Sequence, residues 1–209
     1  MSPNKKPLKG TRPGQTHVTG PGGLDPGAFA GWYRERSLEQ WNALDVAAVA
    51  RLAEAVARAE RDGRQVLVMG NGGSAATASH IATDWCKTAS VPGRRQVKCL
   101  SLADNASFIT AIGNDLSFDD IFSRQLENIL ERGDLVVLVS GSGNSPNLLK
   151  AAACARSRGA KTAALLGFDG GKLRGAVDLP VLVASDQYGV IEDLHLAIGH
   201  IVTFFLKQR

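Results

Sequence analysis

What the 209-residue chain lacks narrows it first. It holds only three cysteines, Cys86, Cys99 and Cys154. An odd number at wide spacing suits reduced thiols and argues against a disulfide framework or a CxxC metal site. No apolar run approaches the ~20 residues that a membrane helix needs, and no charged-then-apolar leader opens the chain. A cytoplasmic protein with no membrane partner is the expectation. Acids are missing before Asp25, where Lys5, Lys6, Lys9 and Arg12 stand. The formal charge of +4 therefore belongs to this opening stretch, and the remainder balances 20 basic against 20 acidic residues. A nucleic-acid reader concentrates basic charge on its body, so no nucleic-acid partner is expected.

Residues 1–27 contain Pro3, Pro7, Pro13, Pro21 and Pro26 together with six glycines. Such a stretch buries too little apolar surface to offset its ordering entropy, which predicts a flexible tail. Residues 28–209 read as a single domain. From Ala28 to about Asp62 the pattern is helical, with Val49, Leu52, Val56 and Ala59 at helical spacing and Asp45 placed to cap a second helix. Trp32 and Trp41, on the earlier helix, read as core or subunit contact.

Strands and helices then alternate. Gln65–Met69 reads as a buried strand, and Val97–Leu102, Leu135–Ser140, Thr162–Leu166 and Leu179–Val183 as further short apolar strands. Ser74–Thr88, Ser107–Gly113, Asp119–Glu131, Ser145–Arg158 and Val190–Lys207 read as helices. The pattern predicts an α/β fold, a five-stranded parallel sheet covered on both faces, with ligands at the carboxyl ends of the strands.

Two loops sit at such ends. Gly70-Asn71-Gly72-Gly73-Ser74 follows the first strand, and Ser140-Gly141-Ser142-Gly143-Asn144-Ser145 follows the third, ahead of Pro146. Glycines let a backbone approach a ligand closely, and the free N–H groups of a helix start favour an anion. Three hydroxyls beside them suit a phosphate monoester. Gly70, Gly72 and Ala75 also fit the dinucleotide fingerprint, with Asp104 as its acid, but that reading leaves the serine loop unexplained. A Walker loop and a nucleophile elbow are both absent.

Of the four histidines, three lie beside carboxylates. His80 and Asp84 are four apart and share a helix face. Glu192, Asp193, His195 and His200 share the last helix. Two histidines with two carboxylates suit either a divalent ion or general acid–base work. Glu192 and His200, however, are about 12 Å apart along a straight helix. Either Glu192 lies at a frayed start, or the two serve different copies of a site across a subunit interface. His195 reads as a core or interface histidine.

The stretches GNGGSAATASHIATD, AIGNDLSFDDIFSRQ, SGSGNSPNLLKAA and IEDLHLAIGH, in this order, resemble the sugar isomerase (SIS) domain family, and within it the phosphoheptose isomerases. The resemblance implies a flavodoxin-like αβα sandwich and a homotetramer with sites between subunits. It implies conversion of sedoheptulose 7-phosphate to D-glycero-D-manno-heptose 7-phosphate, with no nucleotide cofactor. Asn71, Gly72, Gly73 and Ser74 would line the sugar-phosphate site, and Ser140, Gly141, Ser142 and Ser145 would hold the phosphate. Asn114 and Asp115 would contact the sugar. His80, Asp84, Glu192 and His200 match metal and catalytic positions, with zinc the implied ion at one per subunit. Asp84 and His200 would carry the catalysis, and Glu192 would also meet substrate. The family's usual glutamate is Asp84 here, its usual glutamine is Glu192, and its usual Ser-Thr-Ser is Ser140-Gly141-Ser142. A replication-initiator-associated relative that binds partners without turnover is the alternative implied by the same fold.

Overall fold

The computed structural model describes residues 20–209, and the tail expected over residues 1–27 lies largely outside them, as does His17. The first helix starts inside that stretch. Asp25 caps α1 (Pro26–Ala43), its Oδ1 accepting from the Ala28 amide at 2.8 Å, and Pro26 occupies the first helical position. Helix α1 buries no residue, and Trp41 is exposed, so the core reading of that tryptophan is overturned.

Helix α2 (Val46–Asp62) is capped by Asp45 as its sequence suggests, with Ala48 N–H donating to Oδ1 at 3.0 Å. Its stripe of Val49, Leu52, Val56 and Ala59 is buried. The strands follow as β1 (Gln65–Gly70), β2 (Lys98–Ser101), β3 (Leu135–Ser140), β4 (Lys161–Gly167) and β5 (Leu179–Val183), all parallel, in the order β2-β1-β3-β4-β5. Successive side chains enter opposite faces, and both faces are apolar. Val66, Val68, Val137, Val139 and Leu165 pack under α2, α3 (Gly73–Thr83) and α7 (Tyr188–Gln208). Leu67, Met69, Val136, Leu138 and Leu166 pack under α5 (Ser123–Ile129) and α6 (Pro146–Ser157). The result is the expected three-layer αβα sandwich.

Two predicted helices are broken. The run expected over Ser74–Thr88 ends as an α-helix at Thr83 and continues as a π-helical turn, Asp84–Thr88, in which Ala89 N–H reaches back to the Asp84 carbonyl at 2.9 Å. The run expected over Asp119–Glu131 is a 3₁₀ turn, Phe118–Asp120, followed by α5. Helix α4 (Ala106–Asp115) buries no residue. Helix α7 is long and apolar enough by length and composition to cross a membrane, beyond what the apolar runs suggest. Its stripe of Val190, Leu194, Ile198, Val202 and Leu206 is instead packed in the core.

Candidate active site

The chain passes from β1 to β2 on one side and continues at β3 on the other, so the strand order reverses between β1 and β3. In a doubly wound sheet this reversal opens a crevice at the carboxyl ends. Both glycine-rich loops lie there, because β1 and β3 are neighbours. They are tied side chain to side chain: the Asn71 and Asn147 amides exchange two hydrogen bonds, each 2.9 Å. Asn147 is buried, and sequence reasoning passed over it because its partner is 76 residues away.

Between the loops is a cavity of about 190 Å³, lined on one side by Ser140, Gly141, Ser142 and Ser145. Asn71, Ser74, Tyr188 and Glu192 also face it. Three helices begin at its wall: α3 beside Ser74, α6 after Ser145 and α7 at Tyr188. Each turns the positive end of its dipole toward it. Among the described residues no lysine, arginine or histidine lines it, so helix starts and hydroxyls are what these residues offer an anion.

The serine loop is fixed from within and below. Ser140 Oγ accepts from Gly143 N–H at 3.0 Å, and Ser142 Oγ accepts from Asn144 N–H at 3.3 Å. Gly143 has φ +62°, and a Cβ there would run into the Gly170 carbonyl, so glycine is required twice over. The loop after β4 braces it: Leu173 N–H donates to the Gly143 carbonyl at 3.0 Å and Lys172 N–H to Asn144 Oδ1 at 3.2 Å. This third loop carried no sequence signal beyond Gly170-Gly171. Ser145 caps α6 with no hydrogen bond from its side chain to the helix.

A second constellation stands on α3, the π-turn and α7. His80 Nε2 and His200 Nε2 face each other at 3.1 Å, and Asp84 Oδ2 is 3.5 Å from the first and 3.6 Å from the second. Thr88 Oγ1 donates to Asp84 Oδ1 at 2.9 Å, leaving Oδ2 to the histidines. The meeting depends on Gly199: a Cβ there would lie 2.6 Å from Ile81 Cγ1, so glycine lets α7 close on α3. Trp85, buried beneath, donates its indole N–H to the Gly199 carbonyl at 3.2 Å.

Two imidazole nitrogens at such a distance need a proton or a cation between them. Ligands about 2.0–2.1 Å from a tetrahedral ion stand about 3.3 Å apart, close to the spacings of this trio. The donor set fits a divalent cation with one position open.

The expected residues thus fall into groups. His80, Asp84 and His200 come together. Glu192 does not join them; it lines the serine-loop cavity, and its carboxylate lies so near Gly73 that a Cβ there would collide with it. It sits within regular α7, so a frayed helix start is overturned as the way to unite it with His200. Asn114 and Asp115 are exposed at the end of α4, bonded to each other at 2.7 Å and away from the cavity. Gly72 is exposed at the cap of α3. Asp104, the acid of the dinucleotide reading, accepts a hydrogen bond from Ser79.

His195 lies in the core, as read, with neither ring nitrogen hydrogen-bonded among the described residues. Burial pushes its pKa down to about 4; the Leu166 backbone pulls weakly the other way without making a well-placed hydrogen bond. The unfolded chain takes up a proton near pH 6.5 that the folded chain refuses until about 4. The stability this gives is whole above pH 6.5 and falls on acidification by about 1.4 kcal/mol per unit, about 3 kcal/mol in all. Urea unfolding at pH 7 and pH 5 should show about 2 kcal/mol of this loss, and His195→Leu should remove most of it. An equal loss in the variant would disprove the assignment.

The SIS domain family matches residues 33–167. A phosphoheptose isomerase of Geobacter sulfurreducens is 44% identical over 161 residues, 77% of this chain and 85% of that protein. One of Chlorobaculum parvum is 41% identical over 178 residues, 84% of this chain and 85% of that protein. The solved phosphoheptose isomerase of Francisella tularensis superposes with a TM-score of 0.81 at 28% identity, covering 88% of this chain and 96% of that one. That of Neisseria gonorrhoeae gives 0.80 at 28% identity, over 88% and 98%.

Proposed function

From the premise that the chain belongs to the SIS domain family, among its phosphoheptose isomerases, we propose that it interconverts sedoheptulose 7-phosphate and D-glycero-D-manno-heptose 7-phosphate. The observation that carries this reading is the pairing of a cation-free anion cavity with a histidine–carboxylate trio on the same helix layer. The curated relatives do not favour a partner-binding role without turnover.

The reaction moves a proton between C1 and C2 through an enediol while protons shuttle on O1 and O2. Asp84 takes the carbon proton. His200 is the partner acid and base at oxygen, or else a ligand of an ion that polarises the carbonyl, and Thr88 fixes the carboxylate through Oδ1. Ser140, Ser142 and Ser145 hold the phosphate, whose binding energy positions the distant carbonyl. Asn71, Gly72, Gly73 and Ser74 allow the sugar to lie along the backbone. A zinc ion, one per subunit, would be held by His80, Asp84 and His200 and would supply carbonyl polarisation there. No nucleotide cofactor enters.

The working assembly is a homotetramer with sites between subunits. Glu192 is held eight positions from His200 in a regular helix, about 12 Å away, so completing the metal set with Glu192 requires a second copy. Asn114 and Asp115 likewise need a neighbour to reach a sugar. Exposed Leu38 and Trp41 on α1, and Leu116 and Phe118 after α4, give such an assembly apolar surface to cover. Residues 28–209 act as one SIS domain, and the free thiols suit a cytoplasmic setting.

Purified protein given sedoheptulose 7-phosphate, with zinc and after chelation, should form the aldose and exchange the C1 proton with deuterated water. Zinc should raise the rate. Absence of both product and exchange refutes the isomerase; an unchanged rate after verified metal removal refutes the ion.

A further inference from the structure

We infer that Tyr188 is a specificity-determining residue: its ring, seated on Gly141, sets which sugar chains can lie over the phosphate loop. The inference rests on the sugar-phosphate reading of this cavity and extends it to a residue that no motif marked.

Gly141 is not among the described glycines with positive φ. Its backbone would accept any residue, so glycine is there for space. A Cβ at this position would lie 2.7 Å from Tyr188 Cε1 and 3.0 Å from Cδ1. Side chain 141 and ring 188 therefore compete for one volume, and here the ring has it. Tyr188 opens α7 one turn before Glu192, and both face the cavity.

The ring is held in place. Phe168 meets it edge-on at 5.0 Å and 73° between planes. Phe168 is itself the one non-glycine with positive φ among the described residues, at 51°, and its N–H donates to the Ser185 carbonyl at 3.2 Å. A strained conformation persists where the surroundings over-determine it; here it keeps an aromatic edge against Tyr188. Burial, and then the Glu192 carboxylate, raise the Tyr188 pKa, so the ring offers a neutral phenol.

The phosphate-holding groups cannot measure a sugar. Hydroxyls and helix-start N–H groups take any phosphate monoester alike. Discrimination must come from what the carbons meet next, and Tyr188 is the largest side chain lining a cavity of about 190 Å³. Its face gives an apolar wall to the carbon chain, and Glu192, one turn on, accepts from sugar hydroxyls.

The test reads binding by calorimetry for inorganic phosphate, arabinose 5-phosphate, fructose 6-phosphate and sedoheptulose 7-phosphate, beside kcat/KM. Tyr188→Ala should leave inorganic phosphate within about threefold and change the heptose-to-pentose preference by about tenfold or more. Gly141→Ala should weaken all three sugar phosphates by about tenfold or more, and the double variant should return to the level of Tyr188→Ala alone, because the clash is gone. An unchanged preference in Tyr188→Ala, a harmless Gly141→Ala, or an equal loss for every ligand including inorganic phosphate overturns the inference. Wild-type protein that binds the heptose phosphate without isomerising it would sink the isomerase reading and leave this one standing.

Discussion

Asparagine in place of Asp84 is expected to lower kcat by about 10²–10⁴-fold, with little change in KM. The substitution keeps the shape, and the amide oxygen can still accept from Thr88. It removes the group proposed to take the carbon proton and the charge that completes the trio with His80 and His200. The phosphate cavity has no contact with this change, so ground-state binding should survive. Steady-state kinetics on sedoheptulose 7-phosphate with a calorimetric titration separates the two effects. An asparagine variant retaining more than about a tenth of wild-type kcat would remove Asp84 from the chemistry.

Trp85→Ala should be the most damaging single change to folding. The side chain is 1% exposed and spans the seam between the π-turn and α7, where its indole N–H meets the Gly199 carbonyl. Truncating a buried tryptophan costs about 3–5 kcal/mol, which for a domain of this size lowers Tm by roughly 6–20 °C. The cavity would open directly behind Asp84, so activity should fall even at temperatures where the chain stays folded. Thermal unfolding with an assay well below Tm checks both. A loss under about 1 kcal/mol would show that the seam does not depend on the indole.

All five strands were legible to within a residue or so; for β1, β3 and β4 the reason is that a strand buried on both faces must be an uninterrupted aliphatic run, whereas edge strand β2 exposes Lys98 and Leu100. Val66 to Met69 and Leu135 to Val139 admit little else. The cap Asp45 and the first-turn Pro146 were legible because each acts on its own helix start. The π-turn was not. Asp84–Thr88 keeps helical spacing in sequence, and the contact that sets it apart is tertiary: Trp85 donates to the Gly199 carbonyl on α7. The start of α1 was misjudged by two residues because Pro26 was weighed as a tail residue and not as a first helical position.

The site was half legible. His80 with Asp84 followed from helix geometry, and the objection that Glu192 and His200 stand too far apart for one ion is upheld within the chain. Asn147 and Tyr188 were unreadable for a different reason. Each matters through a residue far away in sequence, Asn71 for the one and Gly141 for the other. A side chain whose role is to fill a particular space declares itself only when the space is known.

The three helix starts around the serine cavity have a consequence for how such a site can change. On the proposed reading the anion is held by helix starts as well as by the Ser140, Ser142 and Ser145 hydroxyls, so part of the grip is encoded in the path of the chain and only part in its spelling. Letters at the rim can then be exchanged, a ring gained where a side chain was given up, without loosening the hold beneath. Anchor and reader are separable in this fold, and new sugars become accessible through the reader alone.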